Sequence, residues 1–301
     1  MTGAGESQGA FRAPGHWYRG NIHMHSTRSD GALPPDQLVA LYAERGYDFL
    51  ALTDHRQVTR LDAAGDLGPL LLPAMEVDLF DHGSGRPWHI VGLGLQSLDA
   101  QPPEVRSAQQ MVNALRAAGG LAIALHPYWL GLDASDLLAV EGLTAVEVYN
   151  YSHTWRHNGK GLSTWTWDGV LGAGRTIWAT AADDAHAYPG DAANGWIMVR
   201  AAERSGPAIL RAISAGHFYA SSGPTLHDVR LENGQAHVAC SPVERVRFVA
   251  DGWNGDSVAS LDGADSLTSA AYTLRGNERY LRVEAAERNG ATAWSQPLFV
   301  R

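Results

Sequence analysis

Two histidines one residue apart open the chemistry available to this chain. In Asn21-Ile22-His23-Met24-His25 the imidazoles stand at i and i+2. Side chains alternate across an extended strand, so both project from one face, about 7 Å apart along it, and can converge on one ion. Ser29-Asp30-Gly31 follows as a turn that returns a carboxylate toward the same strand end. Three more apolar runs end in similar groups: Leu50-Ala51-Leu52-Thr53 runs into Asp54-His55, Leu121–Leu125 into His126-Pro127, and Ile177–Ala182 into Asp183-Asp184-Ala185-His186. Between them Glu76 and His89 flank the turn-rich stretch Asp81–Pro87. A hairpin centred near residues 82 and 83 would set the two roughly opposite each other, able to share a metal, and a carboxylate can bridge two ions through its two oxygens.

The candidates collected in this way are His23, His25, Asp30, His55, Glu76, His89, His126, Asp184 and His186, six imidazoles and three carboxylates. Nitrogen and oxygen ligands without thiolate suit zinc, manganese or iron better than calcium, which prefers oxygen alone. Nine ligands exceed what one ion with an open position can take, and they suit two or three divalent ions. Such a cluster implies hydrolysis by a hydroxide bridging two ions, with Glu76 and Asp184 as the catalytic carboxylates. A bound divalent ion lowers the pKa of water from about 15.7 toward 7.

The elements that must position these groups alternate. Strands are expected at Asn21–His25, Phe49–Thr53, Leu70–Glu76, His89–Leu95, Leu121–Leu125, Ala145–Tyr149, Ile177–Ala182, Trp196–Val199 and Phe218–Ala220. Helices are expected after Pro34-Pro35, over Glu104–Ala118 and over Pro207–Ala215. So many βα units in about 200 residues argue for an α/β barrel with catalytic groups at the carboxyl ends of its strands. After Gly223-Pro224 the chain reads as short alternating runs with Asn-Gly, Asp-Gly and Gly-Asn turns, a small all-β, sandwich-like region. The expected division is a disordered start at 1–17, a metallohydrolase barrel at 18–223 and the β region at 224–301.

Composition narrows the partners. The 301 residues carry 23 Lys+Arg against 32 Asp+Glu, net −9, and Lys160 is the lone lysine, so no basic stripe can track a nucleic acid backbone. One cysteine, Cys240, excludes an intramolecular disulfide and fits a reducing compartment. The first twenty residues lack the apolar run of a signal peptide, and eighteen apolar residues never run together, so a cytoplasmic protein without membrane contact is expected. His16, His82, His217, His227 and His237 read as ordinary histidines. Neither a dinucleotide fingerprint nor a Gly-x-Ser-x-Gly elbow occurs.

His-x-His with a downstream Ser-Asp-Gly, then Thr-Asp-His, a Glu among apolar neighbours, His-Pro and Asp-x-His, in this order over residues 18–222, resemble the polymerase and histidinol phosphatase (PHP) family of metal-dependent phosphoesterases. The resemblance implies a distorted seven-stranded (β/α) barrel. It also implies that His23, His25, Glu76 and Asp184 hold one ion, Glu76, His89 and His126 a second, and Asp30, His55 and His186 a third. The C-terminal region, with its Ala-Trp-Ser-Gln-Pro ending, is similar to an extension found in a subset that includes carbamate hydrolases. Strand Ala145–Tyr149 carries Glu147 and leads through Asn150 into a loop with His153, Trp155, Arg156, His157, Lys160, Trp165 and Trp167. Arg56, Asn150, Arg156 and Lys160, with Arg28 as a weaker candidate, would contact an anionic substrate, which favours a small phosphate mono- or diester. Two alternatives stand beside this reading: hydrolysis of carbamate or carboxylic esters or amides, resting on Trp155, Trp165 and Trp167, and a non-catalytic module that uses metals structurally. The oligomeric state is left open.

Overall fold

In the computed structural model, which describes residues 9–61, 68–96, 105–186, 190–261 and 263–300, apolar runs and the breaks between them decide the strands. The first sheet starts with β1 (His16–Asn21), parallel to β2 (Phe49–Leu50) and, through it, to β3 (Leu70–Leu71). Pro73 has no N–H to place in a ladder, and the expected strand Leu70–Glu76 breaks there. The chain resumes as β4 (Ala74–Asp81) and turns back into β5 (Arg86–Leu93). From this hairpin a second sheet grows: β6 (Leu121–Ala124) runs antiparallel to β5, then β7 (Leu143–Asn150) and β8 (Trp178–Ala182) follow in parallel. β9 (Trp196–Ala201) and β10 (Phe218–Ser221) return to the first sheet, where β9 lies antiparallel between β1 and β10. Two isolated parallel bridges, Met24 with Ala185 and His55 with Glu76, join the sheets where the candidate ligands lie.

Caps set the helix boundaries. α1 (Pro35–Glu44) begins at the Pro34-Pro35 pair and buries Leu38, Val39 and Tyr42. α2 (Ala108–Ala117) starts later than expected because Ser107 caps it, its hydroxyl accepting from Gln110 N at 3.2 Å; residue 104 lies outside the described residues. Ala108, Met111, Val112 and Leu115 form one buried stripe. α3 (Pro127–Leu130) and α4 (Ala134–Leu138) follow His126, α5 (Thr164–Gly172) packs beside β7, and α6 (Gly206–Ser214) is capped by Ser205.

The runs after residue 223 are strands, divided between two sheets. They are β11 (Leu226–Glu232), β12 (Gln235–Val243), β13 (Arg245–Ala250), β14 (Gly255–Ala259), β15 (Leu267–Thr273), β16 (Tyr280–Ala286), β17 (Thr292–Trp294) and β18 (Leu298–Phe299). β11, β12 and β15 make a third, antiparallel sheet, while β13, β14, β16, β17 and β18 continue the first one, β17 pairing with β10. Phe248, Tyr272, Leu281 and Val283 fill the space between the layers. Residues 9–17 are not the loose start expected of them: Phe11 packs on Trp17 and Tyr219 at 5.2 and 5.9 Å, and His16 and Trp17 already pair with β9.

Two polar junctions fasten the C-terminal strands to the β7–β8 half. Arg282, its side chain 2% exposed, forks onto Asp168 of α5 with both bonds at 2.7 Å, gives a third to Glu284 at 2.7 Å and lies over the Trp167 ring. The Gln296 amide accepts from Ala179 N at 2.8 Å and donates to Ala179 O at 2.9 Å, so a side chain occupies the place of a neighbouring strand on β8.

Candidate metal centre

β1 ends at Asn21, and His23 and His25 lie just past it on extended chain. Asn21 Oδ1 accepts from His23 N at 3.0 Å, and Met24 N donates to Thr53 Oγ1 at 3.0 Å. The expected alternation survives, since both imidazoles face Glu76 and Asp184. His23 Nε2 lies 3.0 Å from Glu76 Oε2 and 3.1 Å from Asp184 Oδ1; for His25 Nε2 the distances are 2.9 and 3.2 Å. All four side chains are buried.

Glu76 turns its second oxygen the other way. Oε1 lies 2.5 Å from His89 Nδ1 and 4.0 Å from His126 Nε2. In the β4–β5 ladder Glu76 faces Val91, and His89 faces Asp78, so the register is two residues off the expected Glu76–His89 pair. The contact forms because residues 76 and 78 share a face and the imidazole reaches diagonally. A third group, His25, Asp30, His55 and His186, closes around Asp30, whose carboxylate lies 3.5, 3.6 and 3.4 Å from the three rings.

The hydrogen-bonding pattern fits divalent cations. A neutral imidazole has one N–H. His23 Nδ1 lies 2.8 Å from Glu147 Oε1 and so carries it, which leaves a lone pair on Nε2 facing two carboxylates, an arrangement that calls for a cation between them. Likewise His186 Nδ1 donates to the Asp184 carbonyl at 2.9 Å and frees its Nε2, and the buried His25 Nε2 has no aligned hydrogen bond. The carboxylates impose a field that favours positive charge at this point, whether a second proton on a ring or a divalent ion that displaces it. Burial by itself would lower the His23 and His25 pKa values, but the surrounding carboxylates outweigh it, raising His23 well above the usual range and His25 to about 9. Glu76 and Asp184, despite burial, are held well below theirs by His23 and the neighbouring imidazoles. Burial keeps His126 neutral, with its pKa well below the usual value.

Around these side chains stands a rigid frame. Glu147 Oε2 accepts from His126 N at 3.1 Å and from Asn150 Nδ2 at 2.9 Å, and Asn150 Nδ2 also reaches Asp184 Oδ2 at 3.1 Å. Asp54 holds the loop that carries Asp30 by accepting from Ser26, Ser29 and Thr59. Asp183 gathers Asn21, Tyr42 and the backbone N–H groups of residues 193–195. Among the described non-glycine residues, positive φ occurs at Arg56, His126 and Asp184 in or beside the centre, and elsewhere at Ala193 and Asn233. Strained backbone of this kind persists only where its surroundings over-determine it.

No family model matches the chain. The structure aligns over 99% of its length with all of a two-domain protein from Bacteroides vulgatus containing a predicted PHP-like metal-dependent phosphoesterase, at a TM-score of 0.53 and 15% identity. The fold is that of a PHP-like protein. By sequence, 80 residues, 25% of the chain, are 39% identical to a phosphoribosyl 1,2-cyclic phosphate 1,2-diphosphodiesterase of Eggerthella lenta, covering 30% of it. A stretch of 100 residues, 32% of the chain, is 36% identical to a 5'-3' exoribonuclease of Haemophilus influenzae, covering 35% of it. The chain thus matches about a third of the length of these curated relatives.

Within this PHP-like fold the expected substrate contacts fare unequally. Arg56 is tied to Asp78 by bonds of 2.9 and 2.6 Å, so its fork already holds a carboxylate. Asn150 is fully buried with its amide engaged by Glu147, Asp184 and His153 N, so both of its polar side-chain atoms are already taken up within the protein. Arg28, Arg156 and Lys160 are exposed, Lys160 lying 5.6 Å from the Tyr128 ring. Of the three loop tryptophans, Trp167 belongs to the core and donates to Ile177 O at 2.9 Å, whereas Trp155 and Trp165 are exposed. Two groups were not singled out as ligands: Glu147, beside His23 and His126, and His153, whose Nε2 is 3.2 Å from Asp184 Oδ2. Glu147 follows the strand-end pattern of the others; His153 arrives on a π-helix, Ser152–Arg156, for which the sequence has no periodic signal. Gly161 lets that turn close, since a Cβ there would stand 2.1 Å from Thr154 Oγ1 and 2.2 Å from Asn150 O.

Proposed function

We propose that the chain is a metal-dependent phosphoesterase acting on a small phosphate mono- or diester, with two or three zinc, manganese or iron ions held by His23, His25, Asp30, His55, Glu76, His89, His126, Asp184 and His186. One observation carries the reading: the Glu76 carboxylate turns one oxygen to His23 and His25 and the other to His89 and His126, as a bridge between two ions requires. Bound divalent ions supply Lewis acidity toward ester oxygens and acidify water. The chain's own groups do the rest. Glu147 fixes the His23 tautomer, Asn150 aligns Glu147 with Asp184, and Asp54 pins the Asp30 loop.

Exposure supports a direction of entry. His89, His55 and His186 are 20%, 27% and 30% exposed while His23, His25 and Glu76 are buried, so a substrate meets the rim formed by those three rings and Asp30. The names of the phosphodiesterase and exoribonuclease relatives support a phosphodiester among the substrates. The reading extends to the architecture, a distorted seven-stranded (β/α) barrel within residues 18–223 with 224–301 as a β region added to it, and the Met24–Ala185 and His55–Glu76 bridges between the two sheets support it. No described helix is long and apolar enough to cross a membrane. A cytoplasmic setting is part of the proposal, supported by the buried Cys240, whose thiol burial pushes up to about 11.

The test pairs elemental analysis with a hydrolysis screen of phosphate monoesters, phosphodiesters, aryl carboxylates and aryl carbamates. Two or three metal equivalents with phosphate ester turnover are expected. Fewer than one equivalent after reconstitution, or turnover of carbamates with none of phosphate esters, would overturn the reading.

A further inference from the structure

Between the loop that follows β7 and strands β13, β16 and β17 lies a cavity of about 540 Å³, and none of the nine candidate ligands lines it. We propose that it binds an uncharged planar heteroaromatic ring at a site separate from the metal centre. The volume suits a small organic ligand. One wall is aromatic: Tyr149 stacks on Trp294 with centroids 5.5 Å apart and planes inclined 29°, and the Trp155 indole N–H donates to the Tyr149 hydroxyl at 3.3 Å. Trp155 and Leu162 stand at the rim 63% and 48% exposed, two large apolar side chains held in water where a flat ring would cover them.

The ring must offer polar edges. Among the described residues the Tyr151 and Thr164 hydroxyls, both lining the cavity, have no hydrogen-bond partner, whereas the Thr154 hydroxyl already donates to Asn150 O at 2.7 Å. It must also be uncharged. Arg247 faces Glu284 across 3.5 Å, both line the cavity, and an ionic ligand drawn to one would be repelled by the other. The π-helix forms a shared wall: Thr154 and Trp155 face the cavity, while His153 faces Asp184.

Calorimetric titration of the metal-loaded full chain with adenosine, and separately with benzoate, tests the proposal. Adenosine is expected to saturate one site with a Kd of about 1 mM or tighter. The exposed Trp155→Ala should weaken it about tenfold with an unchanged melting temperature, Tyr151→Phe by a smaller factor, and Glu76→Gln should leave it unaltered, because stacking and not the metal centre holds the ring. Absence of adenosine binding, equal affinity in Trp155→Ala, loss in Glu76→Gln, or benzoate binding tighter than adenosine would each overturn it. None of these outcomes bears on phosphate ester hydrolysis, so the two readings fail separately.

Discussion

Replacing Glu147 with Gln keeps size and shape and changes one atom's chemistry, which makes it a sharp probe of the metal centre. The carboxylate accepts three bonds, from His23 Nδ1 at 2.8 Å on one oxygen and from His126 N and Asn150 Nδ2 at 3.1 and 2.9 Å on the other. An amide can accept on one side alone. If its NH₂ faces His126 N and Asn150, donors meet donors, and Asn150 cannot flip to relieve this because its oxygen accepts from His153 N at 2.9 Å. If the NH₂ faces His23, that ring must move its proton from Nδ1 to Nε2, the nitrogen aimed at Glu76 and Asp184. The first orientation strains the frame at His126 and Asn150, the second costs His23 its tautomer, and either weakens the metal centre. Loss of a carboxylate that orients a ligating histidine typically lowers metal affinity about 10–100-fold, or about 1.4–2.7 kcal/mol. Competition of the apoprotein against a chelator for manganese or zinc measures this, with circular dichroism verifying the fold. Wild-type affinity in a folded Glu147→Gln protein would refute the tautomer argument.

Three further outcomes are expected. Glu76→Gln should lower occupancy by two ions, read by elemental analysis, because its two oxygens face two ligand groups; loss of one ion alone would exclude bridging. Asp168→Asn should lower unfolding free energy in urea by about 1.5–3 kcal/mol, because the buried Arg282 loses the charge of one of its two carboxylate partners and keeps Glu284; an unchanged midpoint would show that the fork adds nothing to stability. Glu278 governs an acid transition: burial opposes its ionisation, but the Arg275 N–H, the Tyr272 hydroxyl and the Gly276 N–H outweigh it and bring the carboxyl to about 2. Its folded pKa lies below the unfolded value of about 4.3, so its stabilisation is complete above that pH and is lost as the pH falls toward 2. The stability gap between the wild type and Glu278→Gln should therefore narrow between pH 6 and pH 3 in urea melts, and a constant gap would show that the carboxylate is not the cause.

What the sequence made legible was the chemistry at strand ends. His23, His25, Asp30, His55, Glu76, His89, His126, Asp184 and His186 come together in space because most of them follow or end an apolar run, His89 opens one and Asp30 lies on a turn beside one, and such runs assemble side by side. Less legible was whatever depends on partners distant in sequence. Arg56 follows His55 directly, and adjacency alone cannot reveal that Asp78 takes its guanidinium. The C-terminal runs read as strands from their alternation, but alternation is silent on which edge a strand joins, and β17 pairs with β10 instead of a neighbour in its own layer alone. The two-residue error in pairing register came from the turn, whose centre lies one residue later than expected, between Asp81 and Arg86, a fact settled by Asp81 accepting from Gly83 N and Ser84 N at 2.9 and 2.8 Å.

The Gln296 amide that completes β8 bears on the order in which the polypeptide can be finished during synthesis. Ala179 waits 117 residues for that partner, and the free edge of β10 waits from Ser221 to Ala293 for its own. While the ribosome is still adding residues 222–296, an emerging chain carries two open strand edges that no local segment can cover, and open edges recruit other chains. Synthesis speed and chaperone supply over residues 222–296 should therefore weigh on the soluble yield, since the ligand-bearing strands are all made earlier.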